Sequence, residues 1–278
     1  WCGEEVTTQC LRSLLDSDYP HLCTLLVDNG SPDGSGERLR SSFPEVEFLQ
    51  TGQNLGYTGG NNRGIKRGLE RNADYILILN NDTVLDPCAV SKLVETTKNP
   101  DGPVGGIAPK ILYHDDPDRI WYAGGEFSPI KGLGLHWRNG ELDQPDKAEN
   151  TCKITFMTGA CCLFSAEALR QMEGFDEDFF AYVEDADLSL RLAGAGYEMY
   201  YNPEARILHR CPLPGTLPSP FQIRQRDRNR RRVMRKHSSL SRRLPFLVRF
   251  YITRVMLFLR YTLTGDWERA RAIVQGMC

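Results

Sequence analysis

The 278-residue sequence predicts an α/β domain organised on a parallel sheet, followed by a helical extension. Three observations carry that reading. Apolar strand runs alternate with helical patterns through the first hundred residues. Tyr75-Ile76-Leu77-Ile78-Leu79 is apolar at every position, as expected of a strand covered on both faces. Strand runs end in turn chemistry, Asp28-Asn29-Gly30-Ser31 and Asn80-Asn81-Asp82, which lead away from the sheet.

Taken in order, Val6, Cys10, Leu11, Leu14 and Leu15 recur at helical spacing and predict a helix over 5–16. A strand over 23–27, a helix near 35–42, a strand over 46–49 and a helix over 59–71 follow. The 75–79 strand and a helix over 88–98 complete the alternation. Residues 103–165 change character, with strands over 107–113, 120–127 and 154–164 punctuated by Gly and Pro. Helices over 166–172 and 185–194 precede strands over 197–201 and 206–209. Four prolines between 212 and 220 mark a linker or rigid crossing. The expected division is a body over 1–215 and a basic helical extension over 216–278. Parallel α/β domains usually open with a buried strand, yet this sequence enters a helix almost at once. Either the fold begins so, or a first strand lies upstream.

Hydrophobic content of 41% and charged content of 25% exclude a disordered chain or a membrane-embedded body. The net charge of −2 hides a basic block, with eight Arg or Lys among the thirteen residues 224–236. Such a block is either a solvated tail or a surface for phosphates on lipid, nucleic acid or a phosphorylated substrate. It lacks the interleaved aromatics that stack bases, so nucleic acid is not expected. Nine cysteines without metal-finger spacing, two of them adjacent at Cys161-Cys162 in an apolar run, read as buried thiols in a reducing, cytoplasmic compartment. The apolar stretch 244–263 is interrupted by Arg249, Arg254 and Arg260, too often for a spanning helix.

Ligands of parallel α/β sheets bind at the carboxyl ends of strands, where Asp28 and Asp82 fall. Asp82 offers a hard carboxylate oxygen for a divalent cation beside a diphosphate; alternatively both aspartates cap turns. Glu184, Asp185 and Asp187 open a helix beside aromatics. They either complement the helix dipole or supply a base for an acceptor hydroxyl. His209 at a strand end is structural or completes a metal shell. Gly56-Tyr57-Thr58-Gly59-Gly60 does not fit a dinucleotide fingerprint and no phosphate-loop motif is present, which weakens dehydrogenase and nucleoside-triphosphatase readings.

Five motifs occur in order: Val27-Asp28-Asn29-Gly30-Ser31, Asn54-Leu55-Gly56-Tyr57-x-Gly59-Gly60-Asn61-Asn62, Leu79-Asn80-Asn81-Asp82-Thr83, Thr158-Gly159-Ala160, and Phe179-Phe180-x-Tyr182-x-Glu184-Asp185-x-Asp187-Leu188. Together they resemble the inverting family-2 glycosyltransferases, nearest the rhamnosyltransferase-type enzymes of bacterial cell-surface polysaccharide assembly. The resemblance spans roughly residues 1–236 and implies a GT-A fold, Mg²⁺ or Mn²⁺, and a nucleotide-sugar donor such as dTDP-rhamnose. It implies a glycan or lipid-linked acceptor and direct displacement with inversion.

Carried over by position, Asp28, Asn29, Asn54, Gly56, Gly60, Asn61, Asn81, Asp82, Thr158 and Gly159 would bind the nucleotide sugar. Asp28 would read the base, and Thr158-Gly159-Ala160 would be a strand beside the sugar. Asp82 and His209 would hold the metal, Asn80 standing where the family often has a second Asp. Asp185 would be the base, with Glu184 its neighbour. Arg228-Asn229 falls in a segment like the family's Thr-Arg-Asn-Arg. Asp28, Asp82 and Asp185 are expected to share one cleft.

A processive synthase of the same fold would call for Gln-x-x-Arg-Trp and spanning helices, both absent; a non-catalytic sugar-nucleotide binder or scaffold is the alternative. The C-terminal helices are expected to pack on the body or a second subunit, or to lie on an anionic membrane. Trp1-Cys2-Gly3 resembles the tail of the family's first-strand motif, which places that strand upstream. A chain starting at Trp1 is therefore expected to be poorly stable or inactive; a cooperative melt with normal turnover would refute this.

Overall fold

The computed structural model describes residues 2–98, 102–144, 149–213 and 215–277; Trp1, and the motif reading that includes it, lies outside them, as does Pro214 of the proline-rich stretch. Helix α1 (Glu4–Leu15) leads to the parallel pair β1 (Leu25–Asp28) and β2 (Glu47–Gln50), connected through α2 (Ser35–Ser42). Leu11, Leu39, Phe43 and Val46 form a small core beneath them. Helix α3 (Gly56–Glu70) lies flat across β1 and β3 (Tyr75–Leu79). A Cβ on Gly64 would meet Val27 at 3.3 Å, and one on Gly68 would meet Ile76 at 3.0 Å.

The main sheet is mixed. Its order is β3, β10 (Cys161–Ser165), β5 (Val104–Tyr113), β11 (Glu198–His209) and β4 (Thr83–Leu85), with β6 (Asp116–Tyr122) added to β5 and β9 (Cys152–Ile154) to β11. Only β1–β2 and β5–β11 are parallel. The expected parallel sheet is thus corrected: β10 runs antiparallel to both β3 and β5, and β4, β6 and β9 also join their neighbours antiparallel, with only the β5–β6 pair connected by a short turn. Strand β3 pairs with β10 alone among the described residues, and only Ile78 of its five residues is fully buried, so it is an edge rather than a strand covered on both faces. Asp28 and Asp82 follow strands of two different sheets.

Other boundaries move for local reasons. The 120–127 run breaks at Gly124, whose φ of +90° suits glycine. It becomes β6 and the hairpin strand β7 (Gly125–Ser128), paired with β8 (Leu133–His136). The 154–164 run leaves the sheet after Ile154 and returns at Cys161, so Thr158-Gly159-Ala160 is a loop and not a strand. The two late strands fuse into the twelve-residue β11, whose register against β5 jumps between Asn202 and Arg206 at Pro203. Cys161 and Cys162 are buried free thiols.

Helices α4 (Ala89–Thr96), α5 (Ala166–Met172) and α6 (Glu184–Gly194) cover the sheet, and α7 (Pro220–His237), α8 (Leu240–Leu263) and α9 (Trp267–Met277) close the chain. Ser219 and Gln222 form a reciprocal capping box at the start of α7, with Pro220 in the first turn. Val233, Met234, Phe246 and Phe250 enter the main core, while Ile223, Tyr261, Ala270 and Ile273 bind the three helices together. The extension therefore packs on the body with one face of α8.

Phe250 is fully buried and lies under the Arg230 guanidinium, 5.0 Å from its ring centre. Phe250→Ala is expected to cost about 3–5 kcal/mol, read as a lower denaturation midpoint. An unchanged midpoint would mean that α8 adds nothing to the stability of the body.

Candidate active site

Strand pairing assembles the first part of the site. His209 ends β11 opposite Thr83, and the Arg210 N–H donates to the Asp82 carbonyl at 2.8 Å. The His209 imidazole Nε2 thereby stands 3.2 Å from Asp82 Oδ1. Asp82 Oδ1 and His209 Nδ1 are buried and have no hydrogen-bond partner. Trp121 stands edge-on to His209 at 4.6 Å and to His136 at 4.5 Å between ring centres. Burial, opposed by a bond to the Trp121 carbonyl, pushes the His136 pKa down to about 4, so this imidazole is neutral near pH 7. Two neighbouring ligands of an octahedral Mg²⁺ are roughly 3 Å apart. The Asp82–His209 separation and the orphaned carboxylate oxygen therefore fit a cation. No third His, Cys, Asp or Glu joins them among the described residues, leaving any remaining positions to phosphate oxygens and water.

The 158–160 loop joins this pair to the acidic motif. Asn80 N–H donates to the Ala160 carbonyl at 2.9 Å. On the other side Gly159 N–H donates to Asp185 Oδ2 at 3.2 Å, while the Tyr57 hydroxyl donates to the Gly159 carbonyl at 2.6 Å. Thr158 is buried within the same loop. Burial raises the pKa of Asp185, and the N–H groups of Gly159 and Ala186 oppose that rise. Glu184 is buried with Oε2 unpartnered; burial first, then the neighbouring Asp185, raises its pKa well above the carboxylate range. Asp187 is treated in the opposite way. Burial would raise it too, but His237, Lys236 and Arg191, all within 2.9 Å, outweigh that and hold it at about 2.

The backbone that presents these carboxylates is strained. Phe180, Tyr182 and Val183 have φ of 48°, 69° and 72°, the left-handed region that is costly for bulky and β-branched side chains. Asn229 of α7 holds the segment. Its amide nitrogen donates to the carbonyls of Phe179, Ala181 and Tyr182 at 2.7, 2.9 and 2.8 Å. From the other side α3 approaches so closely that a Cβ on Gly56 would fall 2.5 Å from the Phe180 ring. Part of the basic block is thus an internal fastening. Arg230 reaches the Lys131 carbonyl, Arg232 pairs with Asp178, and Lys236 pairs with Asp176 and Asp187.

The other residues expected to bind the donor divide. Asn29, Asn54, Gly56 and Gly60 come together: Asn29 donates to the Gly56 carbonyl at 2.8 Å, Asn54 accepts from the Gly56 N–H at 2.9 Å, and a Cβ on Gly60 would touch Asn29 at 3.1 Å. Asp28 is buried, its oxygens bound by Ser31 and Gln50 at 2.5 Å each. No hydrogen bond or ion pair joins it to Asp82 or Asp185 among the described residues. Ser31, Cys2 and Gly3 lie between it and the Asn80–Asp82 turn. Asn61 turns to its own helix at Tyr57, and Asn81 to Thr7 of α1. Sequence reasoning missed Trp121, and it left Tyr57 and Asn229, which stand in the motifs that carry the resemblance, without an assigned role.

A mixed sheet of this order, with helices on its faces and a C-terminal helical extension, belongs to the GT-A fold class. The family profile described as "Glycosyl transferase family 2" matches residues 2–172, and the chain belongs to that family. It is similar to the N-acetylglucosaminyl-diphospho-decaprenol L-rhamnosyltransferase of Mycobacterium tuberculosis, 31% identical over 218 residues, covering 72% of this chain and 70% of the relative. Rhamnosyltransferase WbbL of Escherichia coli is 23% identical over 74% of this chain and 80% of its own. Among solved structures, mannosyltransferase PcManGT from Pyrobaculum calidifontis in complex with GDP-Man and Mn²⁺ aligns with TM-score 0.58 at 14% identity, over 99% of this chain and 83% of that one. GalNAc-T7 with UDP, GalNAc and Mn²⁺ aligns with TM-score 0.63 at 14% identity, over 84% of this chain but 45% of that one. The matched family span ends before Asp185, His209 and Asn229.

Two outcomes are expected. Asn229→Ala should lower stability by about 1–3 kcal/mol and cut kcat more than it raises the donor KM; equal effects on both would assign Asn229 to general folding. Glu184 has a raised pKa, so its protonated form is the one the fold prefers. Its contribution is fully present below the unfolded carboxylate pKa and is lost as pH rises toward the folded value. Glu184→Gln should therefore match the parent near pH 4 and melt higher than it at pH 8, by about 2–4 °C per kcal/mol relieved. A lower melt at pH 8 would contradict the assignment.

Proposed function

We propose that the chain transfers a sugar from a nucleotide-diphosphate donor, dTDP-rhamnose or a related sugar, to a hydroxyl of a glycan or lipid-linked acceptor with inversion, in cell-surface polysaccharide assembly. The observation that carries this is the 158–160 loop, which touches both the Asp82 turn and the Asp185 carboxylate. A site for charge on a leaving diphosphate and a base of raised pKa stand on either side of one short segment.

Asp185 is the base. Its carboxylate takes the acceptor hydroxyl proton as the oxygen attacks the anomeric carbon, and the bond to the diphosphate oxygen breaks on the opposite side. Glu184, kept protonated by burial, confines the negative charge to Asp185. Asp82 and His209 would hold Mg²⁺ or Mn²⁺, which offsets charge on the departing nucleoside diphosphate. Asn29, Asn54 and Gly56 shape the start of α3 that faces the donor, and Asp28 reads the base. The names of the relatives support the sugar and acceptor class; Asp187, held by Arg191, Lys236 and a bond to His237, is unsuited to the base role.

Asp185→Asn is expected to lower kcat about 10²–10⁴-fold with donor binding retained; near-normal turnover would rule out this base. Because the Asp185 pKa is raised, kcat/KM should fall on acidification with a midpoint above the ordinary aspartate value of about 3.9. His209→Ala should raise the Mn²⁺ concentration needed for donor hydrolysis by roughly 10–100-fold. An unchanged Mn²⁺ requirement would remove His209 from the metal site.

A further inference from the structure

We propose that the solvent face of α8, with the start of α9, docks on an anionic lipid surface and lies along it without crossing. The proposal goes beyond the glycosyl-transfer reading and does not depend on it. Along 24 residues one side of α8 packs on the body through Phe246, Phe250 and Tyr261. The opposite side exposes a continuous apolar band. Leu244, Val248, Ile252, Val255, Leu259 and Leu263 are 51–86% exposed. They recur at spacings of three, four and seven residues, which puts them on one helical face. A band of this length, about 29 Å along a helix, exceeds the scattered apolar exposure normal for a soluble surface.

Charge selects the occupant. Between Asp227 and Asp266 the chain has no Asp or Glu, while Arg242, Arg249 and Arg260 border the band. A second copy meeting this face about a two-fold axis would set guanidinium rows against each other with no acid between them. Anionic headgroups beside acyl chains would satisfy both arginines and band. Trp267, 66% exposed, follows Leu263 at the end of the band, the residue type that settles at headgroup depth. No described helix is long and apolar enough to cross a membrane. The opposite side of α8 is also placed usefully. Arg254, together with Arg249 at the border between the two sides, shares a cleft of about 370 Å³ with Arg226 of α7, whose charge reaches Asp185. One helix thus has lipid-facing and cleft-facing sides, which suits a substrate held at a bilayer.

The test is flotation of the 278-residue chain with phosphatidylcholine vesicles, with and without phosphatidylglycerol, at low and high salt. The chain should float with anionic vesicles, less so at high salt. Ile252→Asp/Val255→Asp should lower partitioning about a hundredfold, near tenfold per lost apolar anchor, with an unchanged melting temperature because both side chains are exposed. Arg242→Glu/Arg249→Glu should abolish the preference for anionic lipid. The vesicles carry no acceptor, so the outcome is separable from any result on sugar transfer. Absence of flotation with anionic vesicles at low salt would overturn the proposal. So would a concentration-dependent dimer in lipid-free solution that Ile252→Asp/Val255→Asp dissolves, since that names a second copy as the occupant.

Discussion

One side chain, Asn229, holds the conformation on which the acidic motif depends. Three backbone carbonyls, those of Phe179, Ala181 and Tyr182, turn toward its amide. The segment they belong to has three bulky residues in left-handed geometry, each costing about 1–3 kcal/mol. Such a loop persists only where its surroundings overdetermine it. Here α7 supplies the hold from one side and the close approach of Gly56 restricts it from the other. The helix that carries Asn229 is itself fixed by its capping box and by Val233 and Met234 in the core. Substitutions in α7 are therefore felt at Glu184 and Asp185 without touching them.

The electrostatics of α6 follow from the same packing. Three acids in its first turn meet different neighbours: Asp187 faces Arg191, Lys236 and His237, whereas Asp185 accepts from the N–H groups of Gly159 and Ala186 and buried Glu184 has an unpartnered Oε2. Burial acts on all three in the same direction, and only the cations around Asp187 reverse it. Proximity in sequence thus says little about titration; the side of the helix decides.

Much of this was legible beforehand, and the gaps have physical causes. Strand β3 matches its apolar run residue for residue, because every position from 75 to 79 is apolar. Helix α3 begins at Gly56, earlier than expected, where the Asn54 side chain accepts from the Gly56 N–H in a turn ahead of the Leu55 cap, a signal hidden among glycines that read as loop. Sheet direction was misread because periodicity is blind to it; the antiparallel neighbours of β10 and β4 are strands far away in sequence, and no local pattern records how they pair. The pairing of Asp82 with His209 was expected from motif resemblance and is explained by the β4–β11 register, which no local pattern encodes. The basic block misled because charge runs usually face water, and the counter-charges at Asp176, Asp178 and Asp187 lie fifty residues away.

The register jump in β11 has a consequence for how this chain tolerates change. Residues 203–205 have no partners on β5, where Asn202 faces Pro109 and Arg206 faces the very next residue, Lys110. Side chains alternate across a sheet, so an excess of three, being odd, inverts the parity of everything that follows. The imidazole of His209 points toward Asp82 by virtue of that inversion. Loss or gain of a single residue at Pro203 would turn it to the far side of the sheet, whereas a change of two would leave it where it is.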